Sequence, residues 1–303
     1  MARVRFAPVE GGAELFTPAF ADYLTALHDH LGAHVHALRA RRAAMLKRAL
    51  AGTPPTHRPP SEATAGAWTV PAVPTELRRP GIEISGPCSI TSMFINALNP
   101  GPEGERAEGD LDDDEDSGGH RLIDTVRATG NRVAAVHREL YYFDPERKKE
   151  YKLAEGELPF FMHRERGLHL DEPDVTVDGT PICAAILGTA LTLFYAGRAQ
   201  AERGQGIYFY LPKLETAEEA RWYRDLFDRS REALPFLRGA VIRAVVLVES
   251  LPCVYEMEEM LYELGPYAAG LNAARWDLKA SIFEYVMADP RSVWPDRFGV
   301  DIK

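Results

Sequence analysis

The chain has 303 residues, 46% of them hydrophobic and 26% charged, which is a globular composition. That length suits one large domain, or one domain with a smaller appendage. The net charge of −10 argues against nucleic acid, because phosphate binding needs an excess of Lys and Arg.

Much of the acid is concentrated in residues 103–116, "EGERAEGDLDDDED", which hold nine acids and one arginine. The remainder is nearly balanced. No apolar run approaches the roughly 20 residues that span a bilayer. The opening "MARVRFAPVEGG" has no signal-peptide core. A soluble, cytoplasmic protein with no membrane partner is expected. Cys88, Cys183 and Cys253 are widely spaced in apolar sequence, so neither a disulfide framework nor a zinc site is expected.

Taken in chain order, residues 18–50 read as one helix. Leu24, Leu27, Leu31, Val35 and Leu38 recur at helical spacing, and Arg and Lys gather near the C-terminal end, where the helix dipole favours them. His30 and His34 stand four apart, a spacing that can hold metal, but no third ligand is evident and a solvated helical face is expected. Residues 52–80 are Pro-rich and read as an extended linker between this N-terminal helical segment, 1–51, and a body over 81–303. The acidic run at 103–116 is expected to be a mobile loop, because its charges repel and Leu111 is its one large apolar residue.

After residue 155 strands and helices alternate. Strands are expected at 158–167, 206–215, 239–250 and 267–278, and helices at 183–204, 216–234, 254–264 and 280–288. Thr216 and Glu219 have capping-box spacing at the start of the second of these helices. Alternation at this spacing implies a parallel sheet. No GxGxxG or P-loop follows a strand, so the expected fold is α/β, a (β/α) TIM-type barrel, incomplete, with an N-terminal helical extension.

Each of the four strands passes from apolar to charged residues at its C-terminal end. These ends carry Arg164, Glu165 and Arg166; Lys213 and Glu215; Glu249 and Ser250; Arg275 and Asp277. In a parallel barrel such ends meet on the rim that bears the active site. Carboxylates on neighbouring strand ends suit Mg²⁺ better than zinc. Arg166 is a candidate to stabilise an oxyanion or to grip a substrate carboxylate.

The segments "EISGP" (83–87), "INALN" (95–99), "RERGLHL" (164–170), "VDGTPI" (177–182), "GIYFYLPKLE" (206–215), "VVLVESLPCVYEMEEMLYEL" (245–264) and "GLNAARWD" (270–277) together resemble the malate synthase family, A type. The resemblance implies an acyltransferase of the glyoxylate cycle that condenses acetyl-CoA with glyoxylate through a Mg²⁺-bound substrate and an enolate. It implies Glu249 and Asp277 as metal ligands and Arg166 as the catalytic arginine. It also makes Asp113, Glu115, Lys213, Gly270, Leu271, Asn272, Arg275 and Trp276 candidates for substrate binding, with Asp113 and Glu115 in the acidic "DDEDS" (113–117).

Departures are visible. "GP" at 86–87 is followed by "CSITS", and "RWD" by Leu278 where the family has Tyr. The family's last barrel strands, helical domain and catalytic base lie beyond the point matched by Lys303. The 303 residues alone are therefore expected to form malate slowly or not at all. Self-association or a second polypeptide is expected to complete the barrel. A related Mg²⁺-dependent 2-oxo-acid lyase or aldolase, a non-catalytic paralogue and one half of a split enzyme remain alternatives.

Overall fold

The computed structural model describes residues 3–79, 81–293 and 295–299. The chain opens with β1 (Val4–Phe6), α1 (Gly12–Leu15), α2 (Pro18–Leu50) and α3 (Glu62–Ala65). Then come β2 (Glu83–Gly86), α4 (Thr91–Leu98), β3 (Gly109–Asp113) and α5 (Leu122–His137). A hairpin, β4 (Tyr141–Asp144) and β5 (Lys149–Lys152), precedes β6 (Phe160–Arg164), β7 (Asp171–Val177) and β8 (Thr180–Cys183). The rest is α6 (Ala184–Leu191), α7 (Gly197–Glu202), β9 (Ile207–Leu211), α8 (Ala217–Ala233), β10 (Ile242–Val248), α9 (Leu251–Val254), α10 (Met257–Leu264), β11 (Ala268–Ala273) and α11 (Arg275–Val286).

Helix α2 forms where its sequence signals place it. Thr17 caps it by accepting the Phe20 N–H at 3.2 Å, and Pro18 occupies its first turn. Phe20, Tyr23, Leu24, Leu27, Leu31 and Val35 form the stripe that is buried against α6 and α8. Each such side chain gains about 1.5–3 kcal/mol on leaving water. Trp222 of α8 donates its indole N–H to the Leu31 carbonyl at 3.2 Å, which fixes the register of the two helices. His30 and His34 lie on the exposed side of α2, as expected.

The central sheet has six strands in the order β2-β3-β6-β9-β10-β11, every neighbouring pair parallel. Spatial order follows chain order, and helices lie between successive strands. This is the (β/α) TIM-type arrangement, and among the described residues the barrel is not closed: β2 and β11 are free edges. The four parallel strands expected over 158–288 are β6, β9, β10 and β11.

Between β6 and β9 the chain makes a detour that periodicity did not reveal. β7 and β8 form a small antiparallel sheet with β1. The expected helix at 183–204 is interrupted by a π-turn at Thr192–Ala196. The expected capping box also fails. Among the described residues the Thr216 hydroxyl has no hydrogen-bond partner, while Glu219 accepts the Glu215 N–H and pairs with Arg42 at 2.6 Å. The nearby arginine of α2 takes the carboxylate that the cap would have used.

Candidate active site at the sheet rim

Strand β3 threads the acidic run between β2 and β6, with Asp112 opposite His163 and Asp113 opposite Arg164. Successive side chains of a strand point to opposite faces, so the run divides into two sets. On the inner face Leu111 packs against a cluster of Met162, Tyr208, Tyr210 and Leu247. On that face too, Asp113 meets Arg164, whose Nη2 lies 2.6 Å from its Oδ2. On the outer face Asp112 and Asp114 converge on Arg132 of α5, at 2.6 and 3.2 Å. Glu165 joins them at 2.7 Å.

The mobile-loop expectation for residues 103–116 is thus overturned for its second half. Gly109–Asp113 is a strand, and Asp110, Asp112, Asp113, Asp114 and Glu115 are buried. Their mutual repulsion is offset by cations that arrive from other elements: Arg132, Arg164 and Lys213. Composition within the run carries no trace of them.

Glu249 lies just past β10, where the strand reaches the rim, and is 2% exposed. One carboxylate oxygen accepts the backbone N–H of Lys213, and the other, Oε2, has no hydrogen-bond partner among the described residues. The Lys213 ammonium stands among four carboxylates. Its Nζ is 3.2 Å from Glu115, 3.4 Å from Asp116, 3.6 Å from Glu249 Oε2 and 3.2 Å from Asp277. Arg164 also reaches Asp116, at 3.3 Å. Five carboxylates therefore face two cations across the rim.

The electrostatics follow from this imbalance. Burial pushes the Glu115 and Glu249 carboxyls up, and the Lys213 ammonium only partly opposes it. Burial would depress the Lys213 ammonium, but Glu249, Glu115, Asp116 and Asp277 outweigh it and hold the proton on. At Asp113 burial is overcome by the Arg164 guanidinium and by donors from Ser117 and Glu115, which hold the carboxyl at about 2. His169, 4.0 Å from Glu115, is kept neutral by burial and by the charges of Arg42 and Lys213, with its pKa lowered to about 4.

Lys213 has φ +56°, the left-handed region, at a cost of about 1–2 kcal/mol for a residue with a Cβ. Two contacts hold it there. Glu249 accepts its N–H, and Arg42 donates to its carbonyl at 2.6 Å. The backbone is fixed from both sides, and the side chain, 23% exposed, is held by its ion pairs alone.

The other predicted residues are distributed around this centre. Asp277 lies in the first turn of α11, not at the end of a strand, because the chain turns helical at Arg275 immediately after β11. Gly270, Leu271 and Asn272 lie on β11 beside Val245, Val246 and Leu247. Arg275 and Lys279 bracket the indole of Trp276, which is 74% exposed, so these residues do not face the cluster. Arg166 is buried but engaged elsewhere. It donates to Glu172 at 2.7 Å, to the Thr125 hydroxyl at 3.2 Å and to the His120 carbonyl at 3.3 Å. Among the described residues no three His, Cys, Asp or Glu side chains already converge as a metal cage.

Residues 160–302 match the malate synthase TIM barrel domain family. Across 94% of its length the chain is 37% identical to malate synthase of Myxococcus xanthus and to malate synthase of Streptomyces clavuligerus. It is 37% identical to malate synthase of Oryza sativa over 88% of its length. The chain belongs to the malate synthase family. It spans about half the length of the curated relatives it matches, 51% of the Myxococcus protein and 52% of the Streptomyces protein. The range matched to the malate synthase barrel holds Arg164, Arg166, Lys213, Glu249 and Asp277. No helix among the described residues is long and apolar enough to cross a membrane.

Sequence reasoning missed Arg132 and Arg42, and weighed Glu165 or Glu215 rather than Asp113 as the partner of Arg164. Arg42 falls within a basic stretch of α2 that reads as a solvated helix end. Arg132 could have been suspected from its place in "TVRATGNRVAAV" (125–136), on the apolar side of an amphipathic helix, where a lone arginine requires buried carboxylates.

Proposed function

We propose that this chain carries the oxo-acid-binding rim of a malate-synthase-type acyltransferase, which joins acetyl-CoA to glyoxylate. The observation that carries the reading is the buried Oε2 of Glu249, which has no hydrogen bond among the described residues, only Lys213 at 3.6 Å, and is aimed into a group of carboxylates that have too few cations. A buried acceptor left without a donor costs about 1–3 kcal/mol, and a cation at this point removes that cost.

The donors are all oxygen, as Mg²⁺ requires. Glu249 and Asp277 would hold the ion, with Glu115 beside them, and the bound ion would polarise the glyoxylate aldehyde as a Lewis acid. The chain's own groups do the remaining work. The family resemblance would give Arg166 the developing oxyanion, a role that requires its guanidinium to leave Glu172 and Thr125, which hold it away from the cluster here. Arg164 holds Asp113 and so fixes the turn that presents Glu115. The hydroxyl of Tyr210 donates to Glu83 at 2.6 Å across the floor of the sheet, which orders the inner face below the rim.

Calorimetry of glyoxylate added to the protein with Mg²⁺ or with EDTA tests this. Binding is expected only with the metal, and Glu249→Ala and Asp277→Ala are expected to abolish it without changing the far-ultraviolet circular dichroism. Absence of Mg²⁺-dependent binding by the native sequence sinks the reading. The free edges β2 and β11, with Ile82, Ile84 and Leu271 exposed on them or beside them, support a further proposal that a second copy or polypeptide covers the opening. Sedimentation as a compact monomer at all concentrations would remove that partner.

A further inference from the structure

We propose that Lys213 is an internal counter-cation that occupies the metal position and must swing out before a divalent ion can bind. The inference rests on the metal-binding reading above and adds a residue that competes with the ion.

Its basis is geometric. The Nζ of Lys213 lies 3.2–3.6 Å from Glu115, Glu249 and Asp277. Mg²⁺ binds oxygen at about 2.0–2.1 Å, so the same carboxylates must close by more than an ångström around an ion. They cannot do so while an ammonium stands between them. A second observation points to a ligand independently of the acidic cluster: Glu249, 2% exposed, turns its unpartnered Oε2 towards the same position. The lysine satisfies that oxygen poorly, at 3.6 Å and without a hydrogen bond.

The lysine is also built to leave. Its backbone is pinned by Glu249 and Arg42 in the left-handed conformation, so exchange needs no movement of the loop. Its side chain is 23% exposed, and the neighbouring Asp116 and Asp277 are 48% and 40% exposed. A path to water therefore exists beside the cluster. A lysine has one point charge on a flexible stem, whereas an arginine in this position would make a directed, two-pronged contact that resists displacement. The exchange is one cation for another, with no bond made or broken. It keeps the carboxylates apart and compensated until the ion arrives.

The test uses Mn²⁺ as probe, with free ion followed by electron paramagnetic resonance. Removing the competitor lifts the penalty of having the site occupied, so Lys213→Met is expected to bind Mn²⁺ at least about tenfold more tightly than the native sequence. Lys213→Arg is expected to bind no more tightly. A native protein that binds Mn²⁺ with Lys213→Met equal or weaker overturns the lysine's role and leaves the metal reading standing. Failure of the native sequence and Lys213→Met alike to bind overturns both. Should Lys213→Met not fold, the native protein suffices. Acetylation of the Lys213 amine, read by peptide mass spectrometry, is expected to speed up several-fold when Mn²⁺ is added, and an unchanged or slower rate overturns the proposal.

Discussion

One strand, β3, supplies two acidic clusters of opposite character. The outer cluster, Asp112 and Asp114 with Glu165, is held by an arginine that is 1% exposed. Arg132 also donates to Thr192 at 3.0 Å, and His163 bridges Asp112 to Gln200 at 2.7 and 3.1 Å. The inner cluster is larger, opens to water at Asp116 and Asp277, and is held on the rim by a lysine. A rigid guanidinium fork with directed partners makes a structural joint between sheet and helices. A point charge ringed by carboxylates at 3.2–3.6 Å makes a site that can exchange its cation. Asp112 and Asp113 on alternate faces of β3 are each held by an arginine, and the inner set differs because Glu115 and Asp116, past the strand end, face Lys213 at the rim.

The largest expected effect is at the outer cluster. Arg132→Met leaves three carboxylates buried without a cation, and breaking a buried pair from one side costs about 3–5 kcal/mol. Urea unfolding of Arg132→Met should show that loss, or the variant should fail to fold. If Lys213→Met in EDTA is destabilised as much, the two clusters do not differ in kind and the contrast is broken.

Acid is expected to separate the two faces next. Asp113 is held at about 2 against an ordinary value of 3.8, so its folded pKa is depressed. A depressed carboxyl contributes stability that is present above the unfolded value and lost as pH falls through the folded one. The window is therefore about pH 4 down to about 2, and its size is about 2 kcal/mol. Thermal melts of the native protein and of Arg164→Met across that window check it. The variant should lack the step, and a step of equal size in both would detach Asp113 from Arg164.

Parts of this arrangement could be read from the sequence and parts could not. Strands β6, β9 and β10 are apolar runs between turn signals, and their charged ends marked the rim that Glu249 and Lys213 occupy. Helix α2 announces itself by its stripe and its Thr17-Pro18 start. Strand β3 was hidden because a strand with Asp at three of its five positions is intelligible only with its partners in place, and Arg132 and Arg164 lie 20 and 51 residues from the Asp112 and Asp113 they serve. The π-turn was equally hidden. It aims Thr192 at Glu165, a contact 27 residues long in sequence. Asp277 was found by motif, but placed on a strand, since helix α11 begins without a side-chain cap to announce it.

Thr192→Ala sharpens the contrast at intermediate size. Its hydroxyl accepts from Arg132 and donates to Glu165, so removal leaves two charged groups each short of one bond inside the outer cluster. A loss of about 1.5–3 kcal/mol in urea unfolding is expected for hydrogen bonds to charged groups. Gly188 makes the same cluster intolerant of bulk. A Cβ at this position would lie 2.5 Å from the Glu165 carboxylate, so Gly188→Ala should destabilise as well.

The smallest effect is expected at the open lip of the inner cluster. Asp116 is 48% exposed and pairs with both Lys213, at 3.4 Å, and Arg164, at 3.3 Å. Counted by contacts, it resembles Asp112. Water decides otherwise, because exposed pairs gain little Coulomb energy and are screened by salt. Asp116→Asn should change unfolding stability by no more than about 0.5 kcal/mol, and that change should vanish in high salt. Asp112→Asn, which alters a fully buried partner of Arg132 and His163, should cost several times more and stay insensitive to salt. Equal costs for the two substitutions, or a salt-insensitive cost at Asp116, would mean that the rim is as dry as the outer joint. Lys213 would then have no solvent path by which to leave, and the distinction between a fixed and an exchangeable cation would fail at its physical root.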